Sequence, residues 1–405
     1  MVKAVPNTVS LLHNFFDTQA LKAAYHLDTW QDFQGDILAY LKKLFNEYLK
    51  HIGKTWNIAL PGDKAPAMIF KKCVKVAKTD ASKLSEAIVD ALELYLHGSV
   101  YQAQERLFST LDETITLNQV VGELEFDDQA NRLFRIRVSD DTSKIQARKD
   151  IFHVPFSLRH QIGTNRFSIP GYPCLYFSSS IYTCWEEMGR PPFHKIMLAR
   201  FASRSKGTQP ILYLNVAPLQ WRELLEDRIQ TQKPLSSSAF NGFTTYLIHW
   251  PLQLACAIPV RKHGAIFHEE YIIPQMLMQW ARSNQKIHGL CFRTTHVPQM
   301  PKQRITPKLL SNLAFPARST EQDYCPKLTE QFLLTEPQSF ELSLAYHRRS
   351  EENSNPRTPT INGFGGETSM PFSLSTLSQG YYSYYGHSDF FKVELNTLYD
   401  KVESL

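Results

Sequence analysis

The stretch Arg166 to Glu187, RFSIPGYPCLYFSSSIYTCWEE, gathers residue types that could do chemistry. Arg166 precedes a Pro/Gly segment, Tyr176 follows ten positions later at the end of a short apolar run, and Glu187 stands eleven beyond that. A guanidinium offers a planar fork of donors that matches phosphate oxygens. An aromatic face attracts a cationic ring, and an ionised carboxylate stabilises positive charge that develops during a reaction. Each type also has an ordinary structural use: an arginine beside a turn pairs with a surface carboxylate, a strand tyrosine packs in a core, and a Glu-Glu pair on a helix is solvated. The combination at this spacing is what carries information.

Other constellations are weaker. His153, His160, His263, His268, His288 and His296 are scattered without the spacing of a metal-binding motif, and His268-Glu269-Glu270-Tyr271 lacks a second histidine. No metal site is expected. Cys184 lies beside Trp185 on an apolar helix face, where a thiol is inert. Gly363, Gly365 and Gly366 are not followed by the Lys-Ser or Lys-Thr of a phosphate loop. Tyr381, Tyr382, Tyr384 and Tyr385 cluster near the C-terminus and read as tail packing rather than a base-stacking platform.

The Arg166, Tyr176 and Glu187 set resembles RES-domain proteins, in which an arginine in a Gly-rich turn, a Pro/Gly segment, a short strand ending in Leu-Tyr and a helix bearing a glutamate follow one another at this spacing. The similarity runs from about Asn131 to Pro337. Leu133-Phe134-Arg135-Ile136 resembles the family's opening strand, and Glu270 to Gln275 and His288 to Phe292 resemble its later segments. Thr294 stands where the family has its serine and keeps a hydroxyl. Thr164-Asn165 replaces the Gly-Gly that precedes the arginine.

The resemblance implies an ADP-ribosyltransferase-like fold and an enzyme that consumes NAD, in a family of toxins commonly encoded beside an antitoxin. Breaking the nicotinamide–ribose bond builds oxocarbenium character on the ribose, a charge that the Glu187 carboxylate would stabilise. Arg166, with Arg135 second, would grip the pyrophosphate, Tyr176 would stack on the nicotinamide ring, and Thr294 would position the substrate. Nicotinamide leaves neutral, so no second carboxylic acid is needed. NAD is thus expected as substrate, with no cofactor. Water, phosphate or a protein side chain could be the acceptor; lack of an E-x-E spacing at Glu186-Glu187 favours a small molecule. The rivals are a protein ADP-ribosyltransferase, a non-catalytic module that keeps the fold to bind a nucleotide or partner, and an interaction protein working through its N-terminal helices.

The elements that must position these residues divide the chain into three parts. Residues 1–125 carry helical periodicity, clearest at Leu84, Ile88, Ala91, Leu92, Tyr95 and Leu96. His97-Gly98 breaks it, and Ser99 with Gln102 predicts a capping box opening a helix with Val100, Ala103, Leu107 and Leu111 on its apolar face. Residues 126–347 change to short β-like runs: Leu133 to Val138, where Arg135 and Arg137 share a face, then Ile211 to Val216 and Ala265 to Ile273. Pro274 suits the first turn of a helix carrying Leu277, Trp280 and Ala281. Residues 348–405 read as a polar linker over Arg348 to Ser369 and a C-terminal extension. The expected class is α+β, a mixed sheet with an N-terminal helical domain.

Within the Glu187 helix, Ile181, Cys184, Trp185 and Met188 define one apolar face. Glu186 then projects almost opposite it, into solvent, while Glu187 lies at its border. The net charge of +5, from 44 basic and 39 acidic residues without a like-charge run, is too small to argue for nucleic acid. Six cysteines without C-x-x-C spacing read as reduced core thiols, and no segment reads as a signal peptide or membrane span. A cytoplasmic protein is the expectation.

Overall fold

The computed structural model describes residues 5–22, 35–54, 66–115, 121–124, 133–204, 209–216, 218–262, 264–296, 309–318, 322–353, 371–373, 382–385 and 388–405. Its helices are α1 (Val5–Phe16), α2 (Gln19–Lys22), α3 (Ile37–Ile52), α4 (Pro66–Leu96), α5 (Val100–Thr114), α6 (Arg148–Ile151), α7 (Ile181–Glu187), α8 (Pro218–Thr231), α9 (Ser237–Ala257), α10 (Ile272–Ser283), α11 (Pro326–Gln331), α12 (Phe340–Asn353) and α13 (Asp389–Thr397). The strands are β1 (Val121–Leu124), β2 (Leu133–Val138), β3 (Cys174–Ser178), β4 (Ile196–Ser203), β5 (Gln209–Leu214), β6 (Gly289–Arg293), β7 (Ser311–Pro316), β8 (Phe332–Leu334), β9 (Gln338–Ser339), β10 (Pro371–Ser373) and β11 (Tyr382–Tyr384). The class is α+β. Two compact units divide it: Met1–Gly122 with Asn165–Phe167 and Leu212–Lys286, and Glu123–Thr164 with Ser168–Ile211 and Ile287–Leu405.

The first unit is helical. Helix α9 is buried without interruption from Phe243 to Cys256, as a helix apolar on all sides must be. It packs on α4, which also packs on α3 and α5. Tyr48 of α3 stacks on Trp250 at 4.2 Å and donates its hydroxyl to the Leu247 carbonyl at 2.5 Å. The break after α4 follows the sequence reading: Gly98 takes φ +85°, and the Gly98 and Ser99 amides donate to the carbonyls of Tyr95 and Leu94. Two local expectations fail. The Ser99 side chain makes no capping hydrogen bond, and Val100 is exposed while Ala103, Leu107 and Leu111 are buried. Val100 opens the helix, where its side chain lies beyond the packed turns.

The second unit holds the sheet, with strands in the order β6-β7-β3-β2-β4-β8 and β9 also on β4. The pairs β6–β7, β7–β3, β3–β2, β2–β4 and β4–β8 are antiparallel. Strand β5 begins beside β6, where the His288 amide donates to the Pro210 carbonyl at 2.8 Å. Gly289 must be glycine, since a Cβ there would sit 2.8 Å from Phe315 Cδ1 and 2.9 Å from the Ala314 carbonyl oxygen. Phe134, Ile136 and Leu198 of the sheet pack with Ile181, Tyr182 and Trp185 of α7 and with Phe390 and Val393 of α13. Each fully buried side chain of this size contributes about 1.5–3 kcal/mol.

The first break, after Gly122, falls close to the boundary expected at 125, but the first unit also takes in Leu212–Lys286, and no break falls at 347. Leu212–Lys286 packs with the N-terminal helices, because α9 has no polar face to leave in water. The C-terminal residues belong to the sheet unit: Tyr385 is buried against Phe391, and its hydroxyl meets Glu394 at 2.5 Å. Ala265 to Ile273 is not a strand but a turn, a short 3-10 helix at Glu269–Tyr271 and the start of α10. Pro274, third in α10, needs no backbone donor there. The stretch Arg348 to Asn353, expected as the start of a linker, is helical, since α12 runs to Asn353; residues 354–370 and Tyr381 lie outside the described residues. All six cysteines are free and buried.

Buried histidines make acid the fold's weakness. His153 is fully buried, with Nδ1 against the Val154 carbonyl at 2.8 Å and Nε2 accepting from the Cys325 amide at 3.0 Å, so a second ring proton would displace a donor. Burial above all lowers its pKa to about 4, and the same cause acts on His51 and His249, each also to about 4. An unfolded chain takes up those protons near pH 6.5, so stability rises with pH between about 4 and 6.5. We expect it to be full above 6.5 and to fall towards pH 4, by on the order of 2–3 kcal/mol per histidine. Denaturant midpoints measured from pH 7.5 to 4 check this; a flat profile contradicts it.

Candidate functional site

Glu187 closes α7, and the second unit is arranged around its carboxylate. The helix opens with Ser180, whose Oγ accepts from the Thr183 amide at 3.1 Å, and the Thr183 hydroxyl donates to the Leu309 carbonyl at 2.7 Å. From α13, Glu394 accepts the Ile181 amide proton at 2.7 Å, so a buried carboxylate meets the positive end of the helix. At the other end Gly189 and Arg190 both take positive φ, 76° and 61°, and turn the chain away.

The carboxylate of Glu187 receives three side chains. Asn312 Nδ2 donates to Oε1 at 2.7 Å, His296 Nδ1 lies 3.1 Å from Oε2, and the Thr294 hydroxyl also hydrogen-bonds the group. Asn312 is itself oriented by Ser178, its register partner across β3 and β7, whose hydroxyl donates to Asn312 Oδ1 at 2.5 Å. Thr294 is buried just beyond β6, its amide donating to the Leu310 carbonyl and its Oγ1 accepting from the His296 amide. Burial pushes the Glu187 pKa up, but the bonds and charge of His296 with the bonds of Thr294 and Asn312 outweigh it, and the carboxyl is held below its usual range. Its side chain keeps 28% of its surface exposed, so the charge is both fixed and reachable.

Tyr176 lies in the middle of β3, not at its end, half-buried, with its hydroxyl donating to Ser168 Oγ at 3.0 Å. Burial first, then Cys174 and the Glu187 charge, push its phenol well above the ordinary value, so it remains a neutral donor. Arg135 sits where β2 and β3 part after their one register pair, Phe134↔Ser178. Its Nη1 donates to the Tyr176 carbonyl and its Nε to the Ile151 carbonyl, each at 2.9 Å. It makes no ion pair with a carboxylate among the described residues. Burial and repulsion from Arg137 lower its pKa to about 9, which leaves it charged at neutral pH.

Arg166 belongs to the first unit. Its Nη1 donates to the carbonyls of Cys256 at 3.3 Å and Ile258 at 2.7 Å, the open C-terminal end of α9, and its guanidinium lies over the Tyr271 ring at 5.1 Å. Within the second unit the structure therefore brings Glu187, Tyr176, Thr294 and Arg135 together. His296, Asn312, Ser178 and Ser168 complete the cluster and were not singled out as site residues from sequence. A search for metal spacing passes over His296, which sits two residues after Thr294. Asn312, a polar residue inside the apolar strand SNLAFP, carried a readable signal. Among the described residues no group of His, Cys, Asp and Glu is suited to a metal, and no helix is long and apolar enough to cross a membrane.

Glu186 does not project into solvent. It is buried, with Oε2 paired to Arg190 Nε at 2.8 Å, because α7 is buried at every residue from Ile181 to Glu186 rather than on one face. Replacing it by glutamine removes a buried charge from a pair whose other member is 36% exposed. We expect Glu186→Gln to destabilise by about 1–2 kcal/mol and lower Tm by several degrees, with Glu187→Gln changing Tm less. Thermal unfolding followed by circular dichroism checks the order; a Glu186→Gln variant as stable as wild type contradicts it.

No family model and no solved structure matches the chain. It is 30% identical over 341 residues, covering 81% of this chain and 72% of the relative, to a protein of Bacillus subtilis (strain 168) named "Putative toxin YopC". At that identity and coverage, the chain belongs to the family of this Bacillus subtilis protein.

Proposed function

We propose that the chain is an NAD-consuming enzyme of the RES type that breaks the bond between nicotinamide and ribose, and that it acts as a toxin, with NAD as substrate and an antitoxin as its expected partner. The observation that carries the reading is the Glu187 carboxylate, kept ionised by Asn312, His296 and Thr294 yet still in reach of a ligand. A fixed negative charge of this kind stabilises an oxocarbenium-like ribose without moving during the reaction. Tyr176 supplies an aromatic face and a neutral hydroxyl beside that charge, and Arg135 a cation held by backbone carbonyls, with no carboxylate paired to it among the described residues. The name of the Bacillus subtilis relative supports the toxin role.

The departing nicotinamide takes the electron pair of the broken bond and becomes neutral, so one carboxylate is chemically enough. Thr294 tests the alignment with the family's serine, since its hydroxyl touches the carboxylate. We expect the pure chain to release free nicotinamide from NAD, Glu187→Gln to lose nearly all of that activity, and Glu186→Gln, once shown folded, to keep most of it. Thr294→Ser should remain active, while Thr294→Val should fall by roughly 10-fold or more, the worth of one hydrogen bond to a charged group. Mass spectrometry of the products reads these outcomes. An active Glu187→Gln, or no nicotinamide from wild type with or without phosphate, ends the proposal.

A further inference from the structure

The net charge of +5 averages over an uneven chain. From Lys42 to Lys83 stand ten lysines and no arginine against Glu47, Asp63 and Asp80, an excess of seven that exceeds the charge of the whole chain. In the first unit, α3 packs on α4 and brings part of this excess together. Lys50 on the last turn of α3, Lys54 just beyond it, and Lys72, Lys75 and Lys78 in the first half of α4 are all exposed, and none is in an ion pair among the described residues. Lys78 reaches the end of α3, where a Cβ at Gly53 would lie 2.8 Å from its Nζ. At the opposite end of the helix pair the charges cancel: Lys42 meets Glu93 at 3.4 Å, and Asp90 meets Arg106 of α5 at 2.9 Å.

Lysine is a point charge on a flexible stem, and without arginine this face has no planar fork for a carboxylate or a base edge. It can neutralise phosphates and release their counterions, a source of affinity that reads no sequence. A single strand also asks for aromatic platforms, but Val76 is the one large apolar side chain exposed in this stretch among the described residues. A bilayer asks for an apolar helix face, and here Val74, Ala77 and Ala81 of α4 and Leu44 and Phe45 of α3 are already buried. Protein interfaces are depleted in lysine. An ammonium has no acceptor for a 2′-hydroxyl, so nothing on this face favours RNA. We propose that the α3–α4 lysine face binds the phosphate backbone of duplex DNA without regard to its sequence. The binding does not depend on the NAD-cleaving reading.

The test follows the fluorescence anisotropy of two labelled DNA duplexes of unrelated sequence with the full chain. We expect wild type to bind both alike and to lose about 10²–10³-fold in affinity between about 50 and 200 mM salt, the slope for about four or five phosphates. Lys50→Gln, Lys54→Gln, Lys72→Gln, Lys75→Gln and Lys78→Gln combined should remove nearly all binding, and Lys54→Gln or Lys75→Gln alone should lower the salt slope by about one. A control with Lys144→Gln, Lys233→Gln, Lys262→Gln, Lys286→Gln and Lys327→Gln makes the same change in net charge at exposed lysines elsewhere and should bind like wild type. Failure of wild type to bind at about 50 mM salt, equal losses in the two combined variants, or unchanged slopes in the single variants overturns the inference. Tighter binding to polyglutamate, to vesicles containing phosphatidylglycerol or to duplex RNA also overturns it, since the face would then belong to another class of partner.

Discussion

A seven-residue helix cannot hold a carboxylate in place unaided. Helix formation has a costly nucleus, and α7 is far below the length at which an isolated helix persists in water. Its order comes from its two ends and its surroundings. Glu394 of α13 takes the first helical amide, Ser180 and Thr183 tie the opening turn to the Leu309 carbonyl, and the sheet and α13 bury the body. The C-terminal segment is in turn clasped by Arg200, whose Nε and Nη2 donate to the carbonyls of Thr397 and Asp400, and by the Leu334↔Glu403 bridge. The position of Glu187 thus depends on residues about 200 positions later in the chain.

Electrostatics around that carboxylate combine neutral partners with one ionisable one. Glu187 has two neutral donors and an imidazole whose charge also lowers its pKa; Arg135 has two carbonyls and no opposing carboxylate among the described residues. Neutral partners orient a charge without cancelling it, and Arg135 is held in that way. Glu186, one residue away, is the contrast, since there a buried carboxylate meets the part-exposed guanidinium of Arg190. Adjacent glutamates on one helix therefore do opposite work, one stabilising the turn and the other presenting charge.

Arg166 is held by partners that a linear reading does not show. Its planar fork suits phosphate oxygens, and the carbonyls at the end of a helix present a similar array of acceptors. In the first unit those acceptors are the carbonyls of Cys256 and Ile258, and the ring of Tyr271 covers the guanidinium face. The buried histidines repeat the lesson. His153 is held as a neutral ring between a carbonyl and an amide, which makes it part of the core and not of the chemistry.

Local order was determined by the sequence itself: the helical periodicity of α4 and α5, the stop at Gly98, the strand at Leu133 to Val138, the α+β class, the inert cysteines, and a glutamate at the border of a helix face. These follow from side-chain spacing and backbone conformation within a few residues, which a linear reading contains. The tertiary structure decided the rest. It packed Leu212–Lys286 with the N-terminal helices, made Ala265 to Ile273 a turn and the start of a helix rather than a strand, buried Glu186, and surrounded Glu187 with Asn312 and His296. Each of those outcomes rests on contacts between residues far apart in the chain. Periodicity shows which face of an element is apolar, but only the neighbours that arrive from elsewhere decide whether its other faces meet water.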